Sequence, residues 1–240
     1  MSGPELHPDR DDPGAIPTPV VFSWSAGKDS AFGLWTLLQD PQFEVVALLT
    51  TLTEGYRRVS MSGVREQLLD HQAEALRLPL VKVWIPPSCP DPVYEERMGA
   101  ALGSDRLRDI RHFAFGDLYL ADVRAYREER LSALGRAAIF PLWGRSTAEL
   151  ARQMIAARFR AIIVCVDPTA LRPWFAGRTF DEQLLAALPE GMDPCGENGE
   201  FHSFVWDAPI YSRPVACHPG EVVTRDGFVF ADVVAEPTPR

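Results

Sequence analysis

The chain has 240 residues, of which 46% are hydrophobic and 24% are charged, and its formal net charge is −9 at pH 7. This length is enough for one large domain or two smaller ones with a substantial core. The acidic balance argues against a general nucleic-acid-binding or anionic-membrane-binding surface, because both need a net basic face. No stretch of the sequence reaches the roughly 18 apolar residues of a membrane span, so we expect no membrane partner.

The amino-terminal segment, residues 1–18, has acidic residues and prolines where a signal peptide would need basic residues and an apolar run. We expect a flexible leader here and a cytoplasmic protein. The four cysteines are far apart in sequence, so no CxxC pair exists for zinc or dithiol chemistry.

Apolar strands alternate with helices along the first half of the chain. Residues 20–23 predict a strand, and the helix after it repeats its apolar residues at i, i+3, i+4 and i+7. The segments FEVVALLT, LVKVWI and HFAFG predict three further strands with helices between them. Such near-continuous apolar strands indicate an α/β fold, a doubly wound Rossmann-like parallel sheet with helices on both faces.

The second half of the chain begins with a charged helix in LADVRAYREERLSALG. Capping boxes that begin at Ser146 and Thr179 predict two more helix starts, and AIIVCV predicts a buried strand between them. Asp226 and Gly227 predict the tip of a hairpin. We therefore predict a first domain at residues 19–138 and a smaller C-terminal α/β domain at residues 139–240.

The segment SAGKDS joins the first strand to the first helix. The N–H groups and the dipole at a helix start favour phosphate, and Ser25 and Ser30 can donate hydroxyl hydrogens to it. Gly27 lets the backbone approach an anion closely, and Lys28 adds a cation in a chain with only two lysines against 22 arginines. This is not a Walker A loop, because Asp29 follows the lysine and the upstream glycine is missing. The segment predicts a polyphosphate site.

A second cluster of chemically capable side chains lies in GENGEFHS. Glu197, Glu200 and His202 could hold an ammonium ion, take a proton from it or bind a metal, and the alternative is a solvated acidic turn. Gly196 and Gly199 allow the turn to bring both carboxylates to one side.

A third group of candidate site residues, a glycine and an aspartate, follows the fourth predicted strand. Gly116 and Asp117 leave its carboxyl end, the edge at which open α/β sheets bind ligands. The alternative for this pair is a tight turn with an aspartate cap.

These motifs carry a resemblance to a known family. SAGKDS after a strand resembles the pyrophosphate loop, of form SGGxDS, of the N-type ATP pyrophosphatases in the adenine nucleotide alpha hydrolase superfamily. More narrowly, the diphthine-ammonia ligase family is similar in the segments GVREQLLDHQAEALRLPL, FGDLYLADVRAYREERL, FPLWGRSTAELARQMI, FRAIIVCVDPTALRPWFAGRTFDEQLL and DPCGENGEFHSFV. The similarity covers about residues 20–214, and the loop together with GENGEFHS is its most specific part.

The resemblance implies ATP-dependent amide formation. A carboxylate attacks the α-phosphorus of ATP, pyrophosphate leaves, and ammonia then displaces AMP from the acyl-adenylate. The implied cofactors are ATP and Mg²⁺, and the implied partners are ammonium and a carboxylate carried by a small molecule or a protein side chain. The first domain would bind the nucleotide and the second would hold the substrate and ammonia site. A homodimer is expected only because small enzymes commonly dimerise.

The resemblance also assigns residues. The expected ATP-binding residues are Ser25, Ala26, Gly27, Lys28, Asp29, Ser30, Gly116 and Asp117. The expected catalytic residues are Lys28, Asp29, Glu197, Glu200 and His202. Asp29 would orient a magnesium ion or brace the loop, and the individual roles in the second cluster stay open.

Three positions depart from the family pattern. Ala26 replaces the usual glycine, and its methyl group would cost on the order of 1 kcal/mol if the residue needs a positive φ. Ser62 stands where histidine is usual, and Ser203 stands where threonine is usual.

Two alternative functions remain: another AMP-forming enzyme, such as a sulfur transferase, or an ATP-binding regulator without turnover.

Overall fold

The computed structural model describes residues 16–236. The predicted leader at residues 1–18 lies outside these residues except for its last three positions. No helix within residues 16–236 is long and apolar enough to cross a membrane.

Five parallel strands form the first sheet. They are β1 (Thr18–Ser23), β2 (Phe43–Thr53), β4 (Leu80–Ile85), β5 (His112–Ala114) and β6 (Ala137–Ile139), and a short strand β3 (Arg58–Val59) pairs antiparallel with the end of β2. The parallel pairs place them in the order β4-β2-β1-β5-β6. The strand order reverses direction between β1 and β5, the topology that opens a crevice at the carboxyl ends of these strands.

Helices cover both faces of this sheet, as the sequence predicted. They are α1 (Lys28–Leu37), α2 (Glu66–Leu76), α3 (Asp91–Leu102) and α4 (Ala121–Ser132). On one face, Val21 and Phe113 pack in a cluster that includes Leu102 of α3 and Leu131 of α4. The opposite face packs against α1 and α2. The doubly wound α/β fold is therefore confirmed.

The second sheet is antiparallel. Its strands are β7 (Arg160–Val166), β8 (Phe201–Asp207), β9 (Cys217–Arg225) and β10 (Phe228–Ala235), in the order β8-β7-β10-β9. The helices α5 (Thr147–Ala156) and α6 (Glu182–Ala187) accompany it. Its buried residues join the same core cluster as α1 and α2, and α1 contacts β8. This contact brings β8 to the beginning of α1.

The predicted division at residue 138 falls within β6, which pairs with β5 in the first sheet. The second, smaller α/β unit is present, and the position of the domain boundary stays a prediction.

The local signals for the later elements were mostly reliable. Ser146 caps α5 by accepting a hydrogen bond from the Glu149 N–H, and Asp226 and Gly227 form the hairpin turn with φ of 51° and 84°. The predicted capping box at Thr179 is wrong. Thr179 pairs with Ile162 in an isolated β-bridge, so the chain is still extended there, and the side chain of Asp181 caps α6 instead.

Candidate functional site

The loop between β1 and α1 folds as a helix entrance with one strained residue. Gly27 is the N-cap of α1, and Ala26 has a φ of 67°, in the left-handed region. An L-residue pays about 1–2 kcal/mol there, because Cβ approaches the following carbonyl oxygen. Ala26 therefore has the positive φ at which its methyl group, absent in the family's usual glycine, costs conformational energy.

The two serines of the loop have different positions. Ser30 is buried and its hydroxyl donates to the carbonyl oxygen of Gly27 at 2.9 Å. Ser25 is exposed, donates to Ser30 Oγ at 3.0 Å and accepts from the Gly27 N–H at 3.3 Å. Ser30 therefore braces the loop, whereas Ser25 lies where a ligand can reach it.

A cavity of about 610 Å³ lies at the carboxyl edge of the first sheet. Ser25, Gly27 and Asp29 line it on the loop side, and Glu197 and His202 line it on the side of the second sheet. The structure thus brings the two predicted clusters to one cavity. Five of the predicted residues do not line it: Ala26, Ser30, Gly116, Asp117 and Glu200.

Lys28 borders the cavity, but its ammonium group is engaged by the protein. Lys28 is 1% exposed, and its Nζ donates to Asp29 Oδ2 at 2.8 Å and to the carbonyl oxygen of Cys195. It also lies over the rings of Phe180 and Phe201, at 5.4 and 5.1 Å from their centroids. Burial alone would lower the pKa of Lys28, but Asp29, Cys195 and Glu197 together outweigh burial and the pKa is raised. The ammonium therefore stays charged and ties the loop to the turn before β8.

Asp29 keeps one carboxylate oxygen free of protein partners. Its Oδ2 accepts from Lys28, whereas Oδ1 is buried without a hydrogen-bond partner among the described residues. Burial raises the pKa of Asp29, and the Lys28 cation opposes this effect. A buried carboxylate oxygen without a donor is costly, so we expect a water, a ligand or an ion to satisfy it.

Glu197 faces the loop from the other side of the cavity. Its Oε1 accepts a hydrogen bond from the Leu118 N–H at 2.8 Å, just beyond the end of β5. Burial raises the pKa of Glu197 to about 7, and the neighbouring carboxylates of Asp29 and Asp117 add to the effect. Glu197 can therefore exchange a proton near neutral pH, the property required of a general acid or base.

The other two members of the acidic cluster differ from Glu197. Glu200 is 8% exposed, lies off the cavity wall, and its Oε1 accepts from Asn198 Nδ2 at 3.0 Å. His202 belongs to β8 and lines the cavity. Burial lowers the pKa of His202 to about 4, and the Lys28 charge acts in the same direction. His202 is therefore neutral at pH 7 and is a poor proton acceptor.

Gly116 and Asp117 support the site from behind. A Cβ at Gly116 would lie 2.9 Å from the backbone carbonyl of Asp29 and from Ser30 Cα, so only glycine allows β5 to end against the beginning of α1. Asp117 forms an ion pair with Arg127, at 2.7 Å between Oδ2 and Nε. Arg127, rather than Asp117, lines the cavity.

Sequence reasoning missed several residues of the cavity wall. Thr50 near the end of β2 lines it, and the prediction of parallel strands could have indicated this position, because their carboxyl ends meet at one edge. Ser62, singled out only as a departure from the family, also lines it and has a buried hydroxyl without a partner among the described residues. The Ser203 hydroxyl accepts from the Lys28 N–H at 3.1 Å. Serine in place of the family's usual threonine therefore still supplies a hydroxyl for this contact.

Comparison with known proteins places both halves of the chain in one family. The diphthamide synthase N-terminal domain matches residues 18–133, and the diphthamide synthase C-terminal domain matches residues 146–228. The chain is 28% identical to a diphthine–ammonia ligase of Bos taurus over 186 residues, which are 71% of this chain and 69% of the relative. It is 27% identical to a diphthine–ammonia ligase of Danio rerio over 239 residues, 89% of this chain and 92% of the relative. The chain therefore belongs to the diphthamide synthase family.

Proposed function

We propose that the protein is an ATP-dependent ligase that joins ammonia to a carboxylate through an acyl-adenylate. Membership of the family, whose relatives are named diphthine–ammonia ligases, supports the ligase class. The observation that carries the finer proposal is the meeting of the Ser25–Ser30 loop with Glu197 and His202 across one cavity. A phosphate-binding helix start and a proton-exchanging carboxyl are the two groups that this chemistry needs in one place.

In the first step, the substrate carboxylate attacks the α-phosphorus of ATP and the bond to the pyrophosphate oxygen breaks. The N–H groups at the beginning of α1 and the exposed Ser25 hydroxyl would hold the β and γ phosphates. The free Oδ1 of Asp29 suits magnesium, which takes one or two protein carboxylates and completes its shell with water and phosphate oxygens. Bound there, the ion would neutralise phosphate charge.

In the second step, ammonia attacks the acyl carbon, and AMP leaves with the pair of electrons of the broken bond. Glu197 is proposed to accept a proton from ammonium or from the attacking nitrogen, because its pKa of about 7 allows both protonation states at neutral pH. His202, which is neutral, would orient a reacting group by hydrogen bonding. Glu200 would hold the turn in shape through Asn198.

The two buried cysteines lend little support to the sulfur-transfer alternative. Cys195 is buried beside the site, and burial raises the pKa of its thiol. The pKa of Cys165 is likewise raised to about 12. A nucleophilic sulfur carrier needs an accessible thiolate, so neither group is suited to that role.

The experiment is a screen of carboxylates for pyrophosphate release with ATP, magnesium and ammonium, followed by mass spectrometry of the product. We expect release that depends on both one carboxylate and ammonium, with AMP and an amide as products. Asp29→Asn should lower this rate by about 100-fold or more, as loss of an electrostatic contact to the transition state does. Asp105→Asn is the matched control, because Asp105 has the same charge and a side chain that is 95% exposed.

Three results would contradict the proposal. Release that requires a sulfur donor would favour sulfur transfer. ATP binding without release for any acceptor would favour a regulator. Full activity of Asp29→Asn would remove this residue from the site.

A further inference from the structure

Gln72 of α2 is a buried glutamine with three hydrogen bonds to other parts of the chain. It is 0% exposed, and its Oε1 accepts from Trp24 Nε1 at 2.9 Å. Its Nε2 donates to the carbonyl oxygens of Ala26 at 3.1 Å and Val205 at 2.6 Å. Because an unsatisfied buried amide is costly, this side chain fixes its three partners relative to one another.

The contact with Ala26 determines the direction of one peptide group. The Ala26 carbonyl oxygen accepts from Gln72 Nε2 and also from the Val205 N–H at 3.0 Å. The peptide that joins Ala26 to Gly27 is trans, so its N–H points opposite to its C=O. The Gly27 N–H therefore points away from Gln72, toward Ser25 Oγ, which lies at 3.3 Å on the cavity wall.

This orientation requires the left-handed conformation of Ala26, with its φ of 67°. An alanine resists that conformation, so the two hydrogen bonds to its carbonyl oxygen offset a local cost. Without them, the peptide is free to rotate toward a right-handed or extended conformation at Ala26, and the Gly27 N–H would then leave the cavity.

We propose that Gln72 is a positioning residue that holds the Gly27 N–H toward the phosphates of the bound nucleotide. It acts through the Ala26 peptide and does not line the cavity itself. This inference rests on the proposed function, because it takes the cavity to be a phosphate site.

The test compares two ligands on Gln72→Met, a variant that keeps the length of the side chain and loses its hydrogen bonds. Isothermal titration measures the dissociation constants of inorganic pyrophosphate with magnesium and of adenosine. We expect about a tenfold loss of pyrophosphate affinity, which corresponds to about 1.4 kcal/mol, and adenosine affinity within about twofold of the unmodified protein. A purely structural role would change both affinities together or neither.

Ser212→Ala is the matched control. The Ser212 hydroxyl donates to the carbonyl oxygen of Ala75, also in α2, at 2.8 Å, and this hydrogen bond involves neither Gln72 nor Ala26. Pyrophosphate affinity should stay at the level of the unmodified protein. An equal loss in this variant would overturn the inference.

If Gln72→Met does not fold, the second variant is Gln72→Glu, whose pyrophosphate affinity is measured as a function of pH. A protonated carboxyl still donates one hydrogen to these carbonyl oxygens, whereas a carboxylate repels both of them. Pyrophosphate affinity relative to the unmodified protein should therefore fall as pH rises, with adenosine affinity constant. A constant ratio across pH would overturn the inference.

The remaining outcomes separate this inference from the proposed function. If the unmodified protein binds pyrophosphate and Gln72→Met binds it equally well, the inference alone is wrong. If the unmodified protein does not bind pyrophosphate, the phosphate site and the inference are both wrong.

Discussion

Glu197 lines the cavity, and its protonation changes near neutral pH. Burial raises its pKa to about 7 from an ordinary value of 4.5, so the folded state holds this proton more tightly than the unfolded chain does. Below pH 4.5, Glu197 therefore does not lower the free energy of unfolding. The free energy of unfolding falls as pH rises from 4.5 to about 7, and the whole decrease persists above that pH.

Glu197→Gln should remove this penalty. We expect a free energy of unfolding about 1 kcal/mol higher than that of the unmodified protein near pH 8, and no difference near pH 4, after allowance for solvent screening. Urea unfolding at the two pH values measures this. Glu129→Gln, at an exposed position of α4, is the control, and its free energy of unfolding should differ from that of the unmodified protein by the same amount at both pH values. If Glu197→Gln raised the free energy of unfolding equally at both pH values, this result would contradict the raised pKa of Glu197.

The sequence predicted which residues form the loop but not what each side chain does. Lys28 was predicted as a cation for phosphate, yet its ammonium contacts the carbonyl oxygen of Cys195, 167 positions later in the chain. Gly196 and Gly199 were expected to allow the turn to bring both carboxylates to one side, yet Glu197 lines the cavity and Glu200 does not. The contacts of Lys28 with Cys195 and of Glu197 with Leu118 join distant segments, and local spacing carries no information on such contacts.

The beginning of α1 packs closely against Gly116, which follows the end of β5. A Cβ at Gly116 would lie 2.9 Å from backbone atoms of Asp29 and Ser30, and a backbone, unlike a flexible side chain, yields little. The helix start that is proposed to bind phosphate is therefore held by its fit to this glycine.

Gly116→Ala should displace the beginning of α1. We expect a loss of about 1–3 kcal/mol in stability, the usual cost of overpacking, together with weaker ATP binding. Thermal unfolding and nucleotide titration measure the two effects. Gly99→Ala is the control for stability, because a Cβ at this α3 position would meet nothing within 4 Å, and it should stabilise the fold by about 0.5–1 kcal/mol. A Gly116→Ala protein as stable as the unmodified one would show that the contact relaxes easily.

At the scale of elements, the sequence predicted the alternation of strands and helices because each has a clear apolar period. The buried face of α2 follows this period, with Leu68, Leu69, Gln72 and Ala73 all buried. A glutamine at such a position is a signal for a satisfied buried polar group. Its partners come from the loop after β1 and from β8, so they could be named only from the structure.

At the scale of the whole molecule, the cavity depends on both sheets. The loop after β1 supplies one wall of the cavity. The turn before β8 and the first residues of β8 supply the facing wall. The links between them are buried: Lys28 reaches Cys195, the Lys28 N–H reaches Ser203, and Gln72 joins Ala26 to Val205. We propose that this arrangement is one site, with phosphates on the first wall and the proton acceptor on the second.

The most direct measurement is a crystal structure with magnesium and an ATP analogue whose α and β phosphorus atoms are joined by a methylene group. We expect the β and γ phosphates to contact the Ser25–Ser30 loop and the α-phosphorus to face Glu197 and His202. A triphosphate bound elsewhere, with no ligand on this loop, would contradict this expectation.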